Sequence, residues 1–244
     1  MPHQNIDAGN GAATDSSTWS ERTVLVVGAA TGMGQAVVTA FAAAGVHRIA
    51  LVDIGDMSVT QDRALHAAAA NQLAPPDLLT LDLQPEDYAC LDQRVEEVSR
   101  KWGHVDFIIN HANHQPLFVE HSTLNERAVA GKMFKWFETG FKNIYAVIDA
   151  FLPLLLAGSE KTFINIIPTS SPVSKPGIGA NMIVEMADRQ MADCLMVDHG
   201  HEGLLAYSIH SSAPTKGMSP SANKGMWNCR RDLKTSGEIL TSNS

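Results

Sequence analysis

The 244-residue sequence predicts an α/β fold, a doubly wound parallel sheet of about six strands with helices on both faces. Three observations carry that reading. Residues Thr23 to Asp53 read as strand, glycine turn, helix and second strand, closing on an acid. Beyond Asp53, short apolar runs keep alternating with helical segments as far as Ile209. No internal repeat or domain boundary interrupts the alternation.

Thr23 to Val27 has the length and β-branched content of a buried strand. Gly28, Gly32 and Gly34 follow in a G-x-x-x-G-x-G spacing, then Gln35 to Ala44 has helical composition and meets Gly45 as a C′ glycine. Ile49 to Val52 is a second strand, ending at Asp53. Glycine removes the Cβ that would keep a ligand from the backbone. The free N–H groups and the dipole of the following helix then suit a phosphate. Asp53 stands about 20 residues past the turn, where a carboxylate meets an adenosine ribose. A tight strand–helix turn with no ligand is the alternative reading of the same residues.

The remaining elements follow in order. Val59 to Leu73 reads as a helix stopped by Pro75 and Pro76. Leu78 to Leu83 is a third strand, carrying Asp82. Pro85 and Glu86 open a helix to about Trp102, with Val95, Val98 and Trp102 on one apolar face. Val105 to Asn110, Thr162 to Ile167 and Leu204 to Ile209 are the fourth, fifth and sixth strands. A long helix spans Ala128 to Leu156, and another Ile178 to His199. Strands spaced this way are parallel and joined by right-handed crossovers, in the order 3-2-1-4-5-6.

Residues 1–20 are polar and lack a signal peptide's basic start and apolar stretch, so they read as a disordered leader. Residues 21–213 form the globular domain. From Ala213 the composition turns to Ser, Lys, Asn, Gly and Thr, and 214–244 read as a polar tail. A net charge of −8 without a Lys/Arg cluster argues against nucleic acid. Cys90, Cys194 and Cys229 are too widely spaced for a metal pattern or disulfide framework, which fits a reducing, cytoplasmic setting. No apolar run has membrane-spanning length.

The chain resembles the short-chain dehydrogenase/reductase family. The resemblance covers Thr23 to about Met218 and rests on VVGAATGMG, Asp53, LDL around Asp82, IINHAN at 108–113, and FLP at 151–153. It implies a Rossmann fold that binds NAD or NADP and acts on a small molecule. It assigns Gly28, Thr31, Gly32, Met33 and Gly34 to the cofactor turn. Asp53 implies NAD over NADP, because a 2′-phosphate would meet a carboxylate. Asp82 and Leu83 match positions flanking the adenine. Asn110 and Ala112 match two positions of the family's N-N-A-G signature, from which His111 and Asn113 depart.

The catalytic half departs further. The family's Asn falls on Gly140, its Ser on Pro168, its Tyr on Asn181 and its Lys on Glu185; the Pro-Gly after the sixth strand falls on Ser211-Ser212. No Tyr-x-x-x-Lys occurs in the sequence. The family's last strand and helix have no counterpart in 214–244. Candidate replacements are Ser170, with Ser171 beside it; His111, with His114 near it; and Glu185. Their bland alternatives are a turn, a solvated loop histidine and a solvated helix face. His199 and His201 do not make a metal set. Met182, Met186, Met191 and Met196 read as core and interface packing, and the two long helices as a homodimer surface. The expected function is a divergent reductase whose substrate needs no Tyr proton relay, such as an iminium. The alternatives are a non-redox isomerase or cyclase, and a catalytically inactive binding protein.

Overall fold

The computed structural model describes residues 19–30, 32–83, 88–112, 127–169 and 179–212. The described strands are β1 (Thr23–Val27), β2 (Arg48–Asp53), β3 (Asp77–Asp82), β4 (Phe107–Asn110), β5 (Thr162–Thr169) and β6 (Leu205–Ser212). The helices are α1 (Gly32–Ala43), α2 (Ser58–Ala70), α3 (Tyr88–Trp102), α4 (Arg127–Leu156) and α5 (Gly179–His199), with a 3₁₀ turn at Gly200–Glu202. All strand pairs are parallel, and the order is β3-β2-β1-β4-β5-β6, as the alternation predicts.

Strand periodicity divides the core between two faces. Leu25, Val27, Ile108 and Phe163 pack with α3, α4 and α5 residues such as Val98, Phe151 and Met191. Val24, Val26, Ile49 and Ile166 pack with α1 and α2 through Val38, Ala42 and Ala64. β1 is buried along its whole length, as a central parallel strand covered on both sides must be. Trp19, inside the segment read as a leader, packs on this second face, its ring 5.8 Å from Phe107 and 6.4 Å from Phe41. Residues 1–18 and 213–244 lie outside the described residues.

Several element boundaries differ from the sequence reading: β5 and β6 run on to Thr169 and Ser212, so Ser211-Ser212 lie within the sixth strand and not after it, and two other differences have identifiable reasons. α2 ends before the prolines. Leu73 N–H donates to the Ala68 carbonyl and Gln72 N–H to Ala69, with Gln72 at φ +59. That is a Schellman closure made without glycine. β4 begins at Phe107, after Val105 N–H has turned to the Leu154 carbonyl of α4; Asp106 already bonds both neighbouring strands, donating to Thr23 O and accepting from Thr162 N–H.

The edge of the sheet that starts the strands is pinned by Asp106. Its carboxylate accepts from Thr23 N–H, Ser159 N–H and Ser159 Oγ–H, each at 2.8 Å, and His104 Nε2 lies 3.3 Å away. The side chain is 1% exposed. Burial alone would raise this carboxyl, but the amide and hydroxyl donors outweigh it and hold the acid below its ordinary range. The opposite edge, where the strands end, is therefore the one left to bind something.

Candidate functional site

The turn between β1 and α1 is built by close approach. Gly28 sits at φ +81, and a Cβ there would lie 2.6 Å from the His111 carbonyl oxygen. At Gly34 a Cβ would lie only 1.9 Å from the Gly28 carbonyl oxygen. These two positions let β4 and α1 close on the turn, and no side chain fits either. Gly32 differs. Among the described residues, its chain neighbours and own helix backbone aside, nothing lies within 4 Å of where its Cβ would be, so the space beside the first turn of α1 is open. An open cradle at a helix N-terminus, lined by backbone amides, fits a pyrophosphate.

The turn is also latched from below. Gly28 and Ala29 N–H both donate to the Val52 carbonyl. Thr60, buried on α2, donates its hydroxyl to Ala29 O at 2.9 Å and accepts from Gln35 Nε2 at 3.1 Å. Asp53 accepts from Ala30 N–H at 2.7 Å with one oxygen and from Ile54 N–H at 2.7 Å with the other. A carboxylate has about four acceptor sites. The two that remain suit a ribose diol.

Asp82 is the register partner of Asp53 on β3 and accepts from Gly55 N–H at 3.3 Å. Its carbonyl takes Arg94 Nε–H at 3.3 Å. Leu83 is 1% exposed in the core and donates its N–H to Asp53 O, so what it presents at this edge is backbone.

Asn110 and Asn165 face each other in register on the α4–α5 side of the sheet, 2% and 1% exposed. Asn110 Nδ2–H donates to Asn165 Oδ1 at 2.8 Å, and Asn165 Nδ2–H donates to the Asp188 carbonyl of α5 at 3.0 Å. Asn110 Oδ1 accepts from Ala112 N–H at 3.2 Å, which sets the chain's exit from β4. Neither Asn165 nor Thr60 stood out in the sequence. The available signal was a polar residue inside an apolar strand, F-I-N-I-I, matching the Asn at the end of F-I-I-N.

His111 corrects the solvated-loop reading. It is buried, 8% exposed. Burial pushes its pKa below the ordinary histidine value, against a hydrogen bond to the Ile166 backbone that favours the proton. Beside it β5 runs on past the end of β4 at Asn110, and the contact that involves the imidazole is with the Ile166 backbone of that strand. A neutral, enclosed imidazole is poorly placed as a freely exchanging acid.

Met33 and Ala112 are half-buried beside the turn, and Gly28, Gly32, Gly34, Asp53, Asp82 and Asn110 gather at the same sheet edge. Thr31, Asn113, His114, Ser170 and Ser171 lie outside the described residues. Gly140 falls within α4, Pro168 within β5, and Asn181 and Glu185 on the first turns of α5, with side chains outside the described set. Of the α5 methionines, Met191 is buried while Met186 and Met196 are exposed. His199 Nδ1 does meet a carboxylate, Glu202 Oε1 at 2.8 Å, in an exposed pair. Among the described residues no three His, Cys, Asp or Glu side chains gather as metal ligands, and no helix is long and apolar enough to cross a membrane.

Comparison with known proteins agrees with this architecture. The chain is 29% identical over 192 residues to the short chain dehydrogenase mpl6 of Monascus purpureus, covering 79% of this chain and 64% of that protein. The short chain dehydrogenase citE of Monascus ruber matches to the same extent. The chain thus spans less than two thirds of the length of these curated relatives. Among solved structures, NADH-dependent reductase A1-R' complexed with NAD superposes with a TM-score of 0.65 at 14% identity, over 88% of this chain and 86% of that one. Carveol dehydrogenase from Mycobacterium avium in complex with NAD gives 0.61 at 15% identity, over 77% and 69%. At such identities the likeness is one of fold. Residues 22–183 match the family model for short chain dehydrogenases, two thirds of the sequence carrying both the glycine turn and the β4 asparagine, and the chain belongs to that family.

Proposed function

We infer that this chain binds NAD in preference to NADP and serves an oxidoreductase whose small organic substrate needs no tyrosine proton relay. The observation that carries the reading is the open cradle at Gly32 above a turn whose Ala30 amide is held by Asp53. The N-terminal amides of α1 suit the pyrophosphate, Asp53 the adenosine ribose, and Asp82 and the Leu83 backbone the rim of an adenine pocket. A carboxylate at Asp53 disfavours a 2′-phosphate through like charge. Asn110 and Ala112 set the wall beyond the turn. When bound, a nicotinamide supplies or takes up hydride. Similar proteins bind it: the A1-R' reductase and the carveol dehydrogenase are both described in complex with NAD.

The substrate class rests on the catalytic positions that the family resemblance assigns. Glu185 stands where the family has a lysine, and a carboxylate there cannot depress a phenol's pKa. Asn181 has no proton to exchange near neutrality. An electrophile that already carries positive charge, such as an iminium, accepts hydride without one. The same missing Tyr-x-x-x-Lys favours a second reading, in which the fold serves a non-redox isomerisation or cyclisation, or binding without turnover. Homodimerisation through α4 and α5 belongs to the same proposal. Calorimetric titration with NAD and NADP tests the cofactor. Tighter NADP overturns the role given to Asp53, and no binding of either overturns the dinucleotide reading.

A further inference from the structure

Two buried carboxamides in an apolar sheet face need a reason. Buried polar groups are kept where their hydrogen bonds are made, and leaving one unmade is costly. Here the bonds form one continuous line across the site. It starts at Gly28, whose missing Cβ leaves room for the Ala112 amide nitrogen, 2.9 Å from that point. Ala112 N–H donates to Asn110 Oδ1, Asn110 Nδ2–H to Asn165 Oδ1, and Asn165 Nδ2–H to the Asp188 carbonyl. The line ends on α5. Asp188 follows Asn181 by seven residues and Glu185 by three, a spacing that sets all three on one helical face. That face holds the positions where the family keeps its tyrosine and lysine.

We propose that Asn165 is a positioning residue, tying α5 to the glycine turn so that a dinucleotide bound at the turn also fixes the substrate-side helix. The inference rests on the dinucleotide reading above. It assigns to Asn165 the donor that reaches α5, and to Asn110 the acceptor that reaches the turn. An apolar residue of similar size at 165 would fill the space and sever both connections. An aspartate would keep an acceptor for Asn110 and lose the donor to Asp188.

The test is hydrogen exchange of the backbone amides of residues 186–196, with and without saturating NAD, in the full chain and in Asn165→Leu and Asn165→Asp. In the unsubstituted protein NAD should slow exchange there by about fivefold or more, the lower end of ordinary coupling between sites. Both variants should lose that NAD-dependent slowing while still binding NAD in calorimetry. A purely structural role would lower protection throughout the sheet and leave the NAD-dependent slowing in place, which would overturn the proposal. So would NAD binding to the unsubstituted chain with no change in α5 exchange, a result that needs no variant to fold. Absence of NAD binding to the unsubstituted chain would instead bring down the dinucleotide reading, and this inference with it.

Discussion

The Asp53 carboxylate and the Ala30 amide lie 2.7 Å apart across 23 residues of sequence. The acid that suits a ribose is thus also the acid that holds the glycine turn in shape. One oxygen secures Ala30, the other Ile54, and the remaining lone pairs are free for a ligand. Asp53→Ala should therefore do two things. It should lower NAD affinity by about tenfold, roughly the value of a hydrogen bond to a charged group. It should also narrow the preference for NAD over NADP, because the repulsion of a 2′-phosphate is gone. Paired calorimetric titrations measure both effects.

Gly32 and Gly34 should separate binding from folding. Gly34→Ala puts a methyl 1.9 Å from the Gly28 carbonyl and forces α1 away from β1. A loss of about 1–3 kcal/mol in urea unfolding is expected, as for overpacked cores. A Cβ at Gly32→Val has no described atom within 4 Å beyond its chain neighbours and its own helix backbone, but the residue must hold φ near +58, at a cost of about 1–2 kcal/mol. Its larger effect should be loss of dinucleotide binding, since the side chain enters the open cradle. Equal effects of both variants on stability, with binding retained at 32, would contradict the site.

Acid stability should fall in two steps. Asp106 has a folded pKa below the ordinary carboxylate value, so its stabilisation is complete above about pH 3.9 and is lost as pH falls through the folded value. His111 is buried and neutral, its folded pKa lowered from 6.5. The unfolded chain then binds the extra proton, and stability declines as pH drops below 6.5. His111→Gln should flatten the denaturant midpoint between neutral pH and the carboxylate range. Asp106→Asn should cost about 2–4 kcal/mol at neutral pH, because an amide N–H would be turned toward the Thr23 or Ser159 donors.

These residues also show where sequence reading stops. The β1–β2 unit was legible because strand, turn, helix and acid lie within one local stretch, and strand order followed from the alternation. Asp106, Thr60 and Asn165 were not. Each is polar, and each is buried only because of a partner far along the chain: Asp106 and Thr23 are 83 residues apart, Asn110 and Asn165 55. Local pattern marks Asn165 at most as a polar residue in an apolar run and does not say that it is buried or bonded. His111 was misread for a related reason. Its polar neighbours suggest a loop, whereas it is buried and bonded to the backbone of Ile166, 55 residues further on.

The assembly prediction is a dimer. Tyr145 on α4 is 54% exposed and Met186 on α5 is 68% exposed, large apolar groups on the two helices that read as too apolar for one buried stripe. Light scattering at micromolar concentration should give twice the chain mass, and Met186→Glu should shift it toward the monomer without loss of helicity. A monomer in the unsubstituted protein rules the interface out.

The last prediction concerns chemistry. Simple alcohols and ketones should not turn over with NAD or NADH. Hydride delivered to a neutral ketone leaves an alkoxide that requires a proton. A positioned general acid contributes about 10²–10⁴-fold, roughly 3–5 kcal/mol of barrier. Gly140, Pro168 and Asn181 supply no such acid by residue type, Glu185 is the one carboxyl among these positions, and His111 is buried and neutral. An iminium needs no proton at that step and should be reduced, or at least bound, where the matching ketone is not. A panel of secondary alcohols, ketones and cyclic iminium salts, followed at 340 nm with both cofactors, decides between them. Ketone rates that survive Ser170→Ala and Glu185→Gln would reveal a proton relay outside the residues considered. Ketone rates lost on Ser170→Ala would make that serine the working acid, and the substrate would then be an ordinary carbonyl.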